Sequence, residues 1–252
     1  MLKKKRLEII RKYYPNAVTL IDSVNRAIDY YEEVLELEPS KIMFADSICS
    51  DDVNSIQYPS RALEFLGPFK MGGLNGFPFT GLTGMKAFAS HVPDDGAVLI
   101  YYGPHIGITK NGIIGEINRI GQSKNSNCCG AAKGALSKLL NNEIVDKEIT
   151  DLDYQMNVLE QILLNQKSRI INSEIPIFEA TEVIFEAIDK RINELVELTN
   201  YNCKFVILVG AIVINSDKDM GGAYTSTKRF DVINLKENTR NSLLDLFLSK
   251  GK

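Results

Sequence analysis

The sequence predicts an α/β fold in which a mainly parallel central sheet is flanked by helices. Apolar stretches of strand length lie at 41–48, 97–103 and 204–215, and helical patterns lie before the first of them at 17–38 and between the last two at 129–140, 151–170 and 177–199. The last strand, KFVILVGAIVIN, is apolar at consecutive positions, which is typical of an interior strand covered on both faces. Strands that alternate with helices indicate parallel pairing, because each parallel connection needs a crossover.

Local patterns define the remaining elements. Residues 17–38 carry apolar side chains at three- and four-residue intervals, as an amphipathic helix does. The stretch CGAAKGALSKLL, 129–140, has small residues that allow close helix packing. Two extended segments are expected at 112–121 and 224–235, a closing helix near 238–249, and a loop in the glycine-rich segment 67–84.

The composition is that of one soluble globular domain. A chain of 252 residues with 44% hydrophobic content can bury a large core, so we expect a single domain over 1–252 with an N-terminal helical arm at about 1–40. The net charge of −3 gives no general attraction to nucleic acid or anionic lipid, although LKKKR near the start is basic. No signal-peptide core or membrane-length apolar run occurs, which predicts a cytoplasmic location.

Cysteine usage argues against a disulfide scaffold. The four cysteines are Cys49, Cys128, Cys129 and Cys203, a low count for a chain of this length. The adjacent pair Cys128 and Cys129 cannot easily form a disulfide without backbone strain. Reduced thiols or metal ligands are the better interpretation.

Three of the metal-ligating side chains stand at element ends that a parallel sheet brings together. Cys49 and His105 follow the predicted strands at 41–48 and 97–103, and Cys129 begins a predicted helix. Ligands gather outside the carboxyl ends of parallel strands. Two thiolates and one imidazole form a zinc-binding set that leaves the fourth tetrahedral position for water. The spacing contains no CxxC pair, so buried cysteines and a hydrogen-bonded histidine remain the alternative.

A carboxylate and an arginine follow the first candidate ligand. Asp51 lies two residues after Cys49 in CSDDVNSIQYPSR, and Arg61 ends the stretch. Such a carboxylate can orient a zinc-bound water, and an arginine can keep the carboxylate ionised. Alternatively, Asp51 caps the following helix, Arg61 is a surface charge, and Asp52 competes for the same role.

Longer motifs resemble the limiting-CO2-inducible protein B (LCIB) family, the theta-type carbonic anhydrases related to the beta class. They are CSDD…R, GFPFTGLTGMKAFASHVPDDGAVLIYYGPHIGI and GQSKNSNCCGAAKGAL, within residues 40 to 140. The resemblance implies a dimeric beta-carbonic-anhydrase fold that hydrates carbon dioxide reversibly to bicarbonate and a proton by zinc-bound hydroxide. The implied zinc ligands are Cys49, His105 and Cys129, and the implied aspartate–arginine pair is Asp51 and Arg61.

The sequence departs from the beta-class CxDxR pattern, because Val53 occupies the position of its arginine. Family members are not all active, so the alternative is a catalytically silent zinc-binding homologue that acts as a partner or structural subunit. A thiol redox protein that uses Cys128 and Cys129 is a second alternative. His91, the other histidine of the chain, is a candidate proton relay. GxGxxG, GxxxxGK[ST], HExxH and GxSxG are all missing, which argues against nucleotide binding, zinc-protease and α/β-hydrolase chemistry.

Overall fold

The computed structural model describes residues 2–54, 58–217 and 222–249. In this part of the chain a central sheet has eight strands, and its main path runs β1-β9-β8-β4-β2-β3, with β10 beside β9 and β5 beside β8. The sheet strands are β1 Val18–Thr19, β2 Ile42–Ser47, β3 Leu66–Lys70, β4 Ala97–Tyr102, β5 His105–Gly107, β8 Phe205–Asn215, β9 Tyr224–Asn234 and β10 Thr239–Ser242. Strands β6 Glu116–Ile117 and β7 Ser126–Asn127 form a separate hairpin.

Helices cover the sheet on both faces. They are α1 Leu2–Arg11, α2 Leu20–Glu33, α3 Gly81–Ala89, α4 Gly130–Leu140, α5 Tyr154–Leu164, α6 Lys167–Ile171, α7 Pro176–Glu197 and α8 Leu244–Ser249. Strands β2, β3, β4, β5 and β8 are parallel, whereas β9 runs antiparallel to β8, and β1 and β10 run antiparallel to β9. The predicted fold class, a mainly parallel sheet flanked by helices, is confirmed.

Each interior strand supplies both hydrophobic cores. In β4, Val98, Ile100 and Tyr102 pack on the face covered by α1, α3, α4, α5 and α7. The alternate residues of β4, Leu99 and Tyr101 among them, pack on the face covered by α2 and α8. Because successive side chains of a strand point to opposite faces, a strand buried on both sides has to be apolar throughout. This explains the continuous apolar run of β8.

A break between β4 and β5 positions His105, the candidate metal ligand. Strand β4 pairs with the first half of β8, and β5 pairs with the last three residues of the same strand. Gly103 occupies the break at a φ of +149°, and a Cβ atom there would lie 1.8 Å from the carbonyl oxygen of Ala211. Only glycine fits this approach. His105 therefore begins β5 beyond the carboxyl end of β4.

Several predicted boundaries needed correction. The expected closing helix at 238–249 is instead β10 followed by α8, because Thr239–Ser242 pairs with the end of β9. The expected helix at 151–170 is interrupted between α5 and α6. The expected ribbon at 112–121 is extended only at β6, and the expected loop at 67–84 contains most of β3 and the start of α3.

The described elements of the N-terminal segment pack onto the sheet. Strand β1 pairs with β9 through Val18 and Thr19, and the side chains of Ile10 and Tyr14 are buried in the core shared with α7. Helix α2 covers the opposite face. Within the described residues, no helix has both the length and the apolar character that crossing a membrane requires.

Candidate metal centre

Three buried side chains converge at the carboxyl edge of the parallel strands. Cys49 lies two residues after β2, His105 begins β5, and Cys129 is the N-cap of α4. The two sulfur atoms and one ring nitrogen all lie within 4.8 Å of one another. The three residues are only 5%, 1% and 2% exposed, respectively. The structure thus brings together the three side chains that the sequence suggests as metal ligands.

The donor set fits a zinc ion. With Zn–S bonds of about 2.3 Å and Zn–N bonds of about 2.0–2.1 Å, tetrahedral ligand atoms lie roughly 3.5–3.8 Å apart. The observed limit of 4.8 Å requires side-chain movements of about 1 Å or less. The Nε2 atom of His105 is buried and has no hydrogen-bond partner in the described part of the chain. A buried nitrogen without a partner is costly unless it binds a ligand, which supports a metal at this position.

Contacts within the cluster shift the pKa values of all three side chains. A hydrogen bond with Cys129 makes the largest contribution to the pKa of Cys49 and, with the help of His105, lowers it to about 4 against the effect of burial. The same hydrogen bond, together with burial, raises the pKa of Cys129 well above its ordinary value. Burial alone would lower the pKa of His105, but the nearby cysteine sulfurs, Cys129 foremost, raise it. Cys49 therefore offers a thiolate, the form of cysteine that binds metals.

Asn75, in the glycine-rich segment, binds two of the three residues of the cluster. Its backbone N–H donates to the Sγ atom of Cys49 at 3.1 Å, and its Oδ1 atom accepts from the backbone N–H of His105 at 3.2 Å. Asn75 is fully buried and has a φ of +50°, a conformation that asparagine tolerates better than most residues. Sequence reasoning missed this residue, although NG within MGGLNGF is a turn signal.

The ring of His105 is oriented by a side chain at the end of β8. The Nδ1 atom of His105 lies 2.7 Å from the Oδ1 atom of Asn215. The Sγ atom of Cys128 lies 3.6 Å from the same ring nitrogen and 3.5 Å from Asn215 Oδ1. Cys128 therefore contacts the Nδ1 side of the ring, and Nε2 is the ring nitrogen without a hydrogen-bond partner among the described residues.

The carboxylate of Asp51 pairs with Arg119. The Nη2 atom of Arg119 lies 3.0 Å and 2.9 Å from the two carboxylate oxygens of Asp51, and its Nη1 atom lies 2.6 Å from Asp52. Burial alone would raise the pKa of Asp51, but the hydrogen bonds from Arg119 and its neighbours outweigh it and the pKa is lowered. Asp51 is therefore an ionised carboxylate next to the cluster. Asp52 is mostly exposed, with its side chain 86% accessible.

The predicted pairing of Asp51 with Arg61 is corrected by the structure. Arg61 binds Asp29 and Glu32 of α2, at 2.7 Å in both cases. Arg61 belongs to a short 3-10 helix, Ser60–Glu64, whose Ala62 packs in the core on the α2 face. The two cysteines of the cluster belong to the core on the opposite face. The guanidinium group of Arg61 therefore binds acidic residues on α2 and not Asp51.

Arg119 reaches the site through the β6–β7 hairpin. Pairing of Glu116–Ile117 with Ser126–Asn127 folds the chain back, so Arg119 lies close to the segment that ends at Cys129. Its Nε atom donates to Ser126 Oγ at 3.1 Å. Arg119 is 68 positions from Asp51. The extended pattern of the hairpin segment was the signal in the sequence for the position of Arg119. That pattern did not predict the contact of Arg119 with Asp51.

A buried carboxylate fixes the start of this hairpin segment. Asp217, just after β8, is 3% exposed and accepts from the backbone N–H groups of Lys110 and Asn118 at 2.8 Å and 2.9 Å. Asn118 immediately precedes Arg119. Asp217 therefore restrains the backbone that carries the arginine, a role that sequence reasoning did not assign.

His91, the predicted proton relay, lies away from the cluster. It is exposed, follows α3, and its ring centroid lies 6.3 Å from that of Phe69. It precedes the amino end of β4, whereas His105 follows the carboxyl end. A six-residue strand spans about 20 Å. The structure therefore gives no support to a relay through His91.

The four cysteines are all free and buried. Cys128 contacts the His105 ring, while the adjacent Cys129 belongs to the three-residue cluster. Cys203 is separate from both and donates to the backbone carbonyl of Phe205. Burial limits access of oxidants to thiols, so this arrangement does not favour the redox alternative.

The structure is thus a mixed α/β fold with two cysteines and one histidine grouped at the carboxyl edge of its parallel strands. Residues 18–234 match the family profile described as limiting CO2-inducible proteins B/C, beta carbonic anhydrases. The chain belongs to this family. The comparison with curated proteins gives no match.

Solved structures agree with this assignment. The chain is similar to PtLCIB4, a homolog of the limiting CO2-inducible protein LCIB, with 25% identity and a TM-score of 0.79, over 94% of this chain and 98% of that one. It also has the fold of LCIB itself, with 17% identity and a TM-score of 0.68, over 92% of this chain and 95% of the other. The recognition of the family from the three sequence motifs is confirmed.

Proposed function

We propose that this protein is a zinc-dependent carbonic anhydrase, which converts carbon dioxide and water reversibly to bicarbonate and a proton. The observation that carries the proposal is the buried grouping of Cys49, His105 and Cys129 within 4.8 Å, with His105 Nε2 lacking a partner among the described residues. Membership of a carbonic anhydrase family supports the same reaction.

Each residue of the cluster has a defined part in this proposal. Cys49, Cys129 and the Nε2 atom of His105 hold the zinc ion. Zinc bound by three protein ligands lowers the pKa of water to about 7 and so supplies a nucleophile at neutral pH. The two cysteines border the apolar core that includes Phe77 and Ile106, surroundings suited to an uncharged substrate such as carbon dioxide.

Asp51 and Arg119 form the second part of the proposed mechanism. Asp51 accepts a hydrogen bond from the attacking water and so directs the lone pair of the oxygen toward carbon dioxide. Arg119 holds both carboxylate oxygens of Asp51 at 2.9–3.0 Å and keeps the carboxylate ionised and out of the metal's coordination sphere. In this role Arg119 replaces the Arg61 of the sequence-based expectation.

Hydration at one zinc per chain tests the proposal. The protein is stripped with a chelator and zinc is returned in steps, while initial rates of carbon dioxide hydration are followed by stopped flow with a pH indicator. We expect the rate to rise in proportion to bound zinc and to level off at one zinc per chain. The control is the same zinc concentration in buffer without protein.

Two other outcomes would contradict the proposal. One bound zinc per chain without hydration would favour the catalytically silent partner or structural subunit. The absence of stoichiometric zinc binding would leave the cysteines as ordinary or redox-active thiols. We also propose that the protein is a homodimer, as the family resemblance implies. The molecular mass in solution tests this part of the proposal separately from zinc binding and hydration.

A further inference from the structure

Asn215 lies between the candidate ligand His105 and the turn that carries Asp51. It is the last residue of β8 and is 4% exposed. Its Oδ1 atom is 2.7 Å from His105 Nδ1. Its Nδ2 atom donates to the backbone carbonyl of Val53 at 3.2 Å and to Asn54 Oδ1 at 3.1 Å. One amide therefore contacts both parts of the proposed site.

The contact with Val53 decides which way the amide points. A backbone carbonyl can only accept a hydrogen bond, so the NH₂ group of Asn215 has to face Val53. The amide oxygen then has to face His105. That oxygen can only accept, and the His105 Nδ1 atom must therefore carry a proton.

This fixed proton determines which ring nitrogen binds a metal. With Nδ1 protonated, the lone pair of the neutral ring is at Nε2. The Nε2 atom is also the buried atom without a partner in the described residues. Metal-binding histidines commonly donate their second ring N–H to a carbonyl or carboxylate, which fixes the tautomer and the ring orientation.

The other end of the amide restrains the turn that carries Asp51. The backbone N–H of Asn54 donates to the backbone carbonyl of Asp51 at 2.9 Å, and the N–H of Val53 lies 3.3 Å from Asp51 Oδ1. Because Asn215 binds Val53 and Asn54, it holds the short turn in which Asp51 is fixed.

We propose that Asn215 is a positioning residue with two separable tasks. Its oxygen fixes His105 as the Nδ1–H tautomer, which leaves Nε2 for the metal, and its NH₂ group ties the Asp51 turn to the same point. The inference rests on the proposed zinc site and adds the residue that aligns the ligand with the carboxylate.

Two variants separate these tasks. Asn215→Asp keeps an acceptor for His105 Nδ1–H but removes both donations to the turn. Asn215→Leu, of similar size, removes the acceptor and the donors. Asn157→Leu is the matched control, since Asn157 is also a buried asparagine, 6% exposed, but lies on α5 and contacts Thr150 and Glu160. Zinc affinity is measured by competition with a chromogenic chelator, and hydration is measured at saturating zinc.

The two variants have different expected results. Asn215→Leu should bind zinc about 10- to 100-fold more weakly, the usual effect of losing a partner behind a metal-binding histidine. Asn215→Asp should stay within about threefold of the native zinc affinity, because the acceptor remains, and should lose about tenfold in kcat, because the Asp51 turn is released. Asn157→Leu should lower stability without a change in zinc affinity.

The tautomer itself can be observed in the native protein. The chain has only two histidines, so ¹⁵N-labelled histidine gives a simple spectrum of the zinc-loaded protein, and His91→Gln assigns it. We expect the His105 ring to carry a proton on Nδ1 that exchanges slowly with water. This measurement needs no variant at position 215 to fold.

Failure of this inference is distinguishable from failure of the proposed function. If the native protein binds zinc but His105 binds it through Nδ1, or if Asn215→Leu has native zinc affinity, the inference is overturned and the anhydrase proposal stands. If the native protein binds no zinc, the proposed function fails first, and with it the metal-directed role of Asn215.

Discussion

Replacing Cys129 by alanine is expected to abolish stoichiometric zinc binding and to reduce carbon dioxide hydration to the buffer rate. Cys129 supplies one of the three donor atoms that converge at the site. With only Cys49 and His105, the zinc ion would lack the third protein ligand that a catalytic site of three protein ligands and one water requires. We expect the zinc affinity to fall by more than about 100-fold. This loss exceeds the loss caused by removing a residue that only hydrogen-bonds to a metal ligand. Zinc content after gel filtration and stopped-flow rates measure both effects.

Two other buried thiols serve as controls for this experiment. Cys203→Ala removes another buried thiol, which donates to Phe205 outside the cluster, and should retain one zinc per chain. Cys128→Ala removes the sulfur directly before Cys129 and should also retain zinc, since the Sγ atom of Cys128 lies beside His105 Nδ1 and Asn215 Oδ1 and is not part of the three-residue cluster. Zinc loss in Cys128→Ala with full zinc in Cys129→Ala would reverse the assignment of the ligand.

Replacing Arg119 by alanine is expected to lower kcat about 100-fold while zinc content stays at one per chain. A carboxylate misplaced by about 1 Å can cost this factor, and Arg119 is the residue that holds both oxygens of Asp51. Arg119→Lys should recover only part of the rate, because a single ammonium nitrogen cannot replace the two guanidinium nitrogens that bind Asp51 and Asp52. Turnover at saturating zinc and metal content are the measurements.

Arg61→Ala is the matched control for this variant. Arg61 makes two ion pairs on α2 with about 38% of its side chain exposed, and such pairs contribute about 0–1 kcal/mol to stability. We expect native turnover and native zinc content. A loss of activity in Arg61→Ala with none in Arg119→Ala would restore the pairing expected from sequence.

The ligand cluster could be predicted from the sequence because the sheet is mainly parallel. The apolar runs that end before Cys49 and His105 identify β2 and β4, and the carboxyl ends of parallel strands meet at one edge. The small-residue helix places Cys129 at its first turn. The pattern of apolar and small residues was therefore sufficient to predict that these three residues lie close together.

The residues that align the cluster could not be predicted in the same way. Asn75, Arg119 and Asn215 reach their partners across 26, 68 and 110 positions. Their contacts depend on a turn with positive φ, a two-residue hairpin and the final residue of a long strand. None of these features has a side-chain period, so hydrophobic patterning does not indicate which polar groups meet.

The missed C-terminal strand has a similar origin. Residues 238–249 contain a helical pattern, but Arg240 of β10 binds Asp231 of β9 at 2.6 Å, and Thr239–Ser242 pairs along the end of that strand. Asp231 is 2% exposed and also binds Arg229. Pairing with β9 and the ion pair with Asp231 are tertiary contacts, which the local helical pattern of these residues does not reveal.

X-ray absorption at the zinc edge measures which atoms of the protein bind the metal. For the purified protein with one zinc per chain, we expect two sulfur neighbours at about 2.3 Å, from Cys49 and Cys129, and two nitrogen or oxygen neighbours at about 2.0–2.1 Å, one of them from His105. A third sulfur, which would bring Cys128 into the coordination sphere, or a spectrum without sulfur would contradict the two-cysteine, one-histidine site.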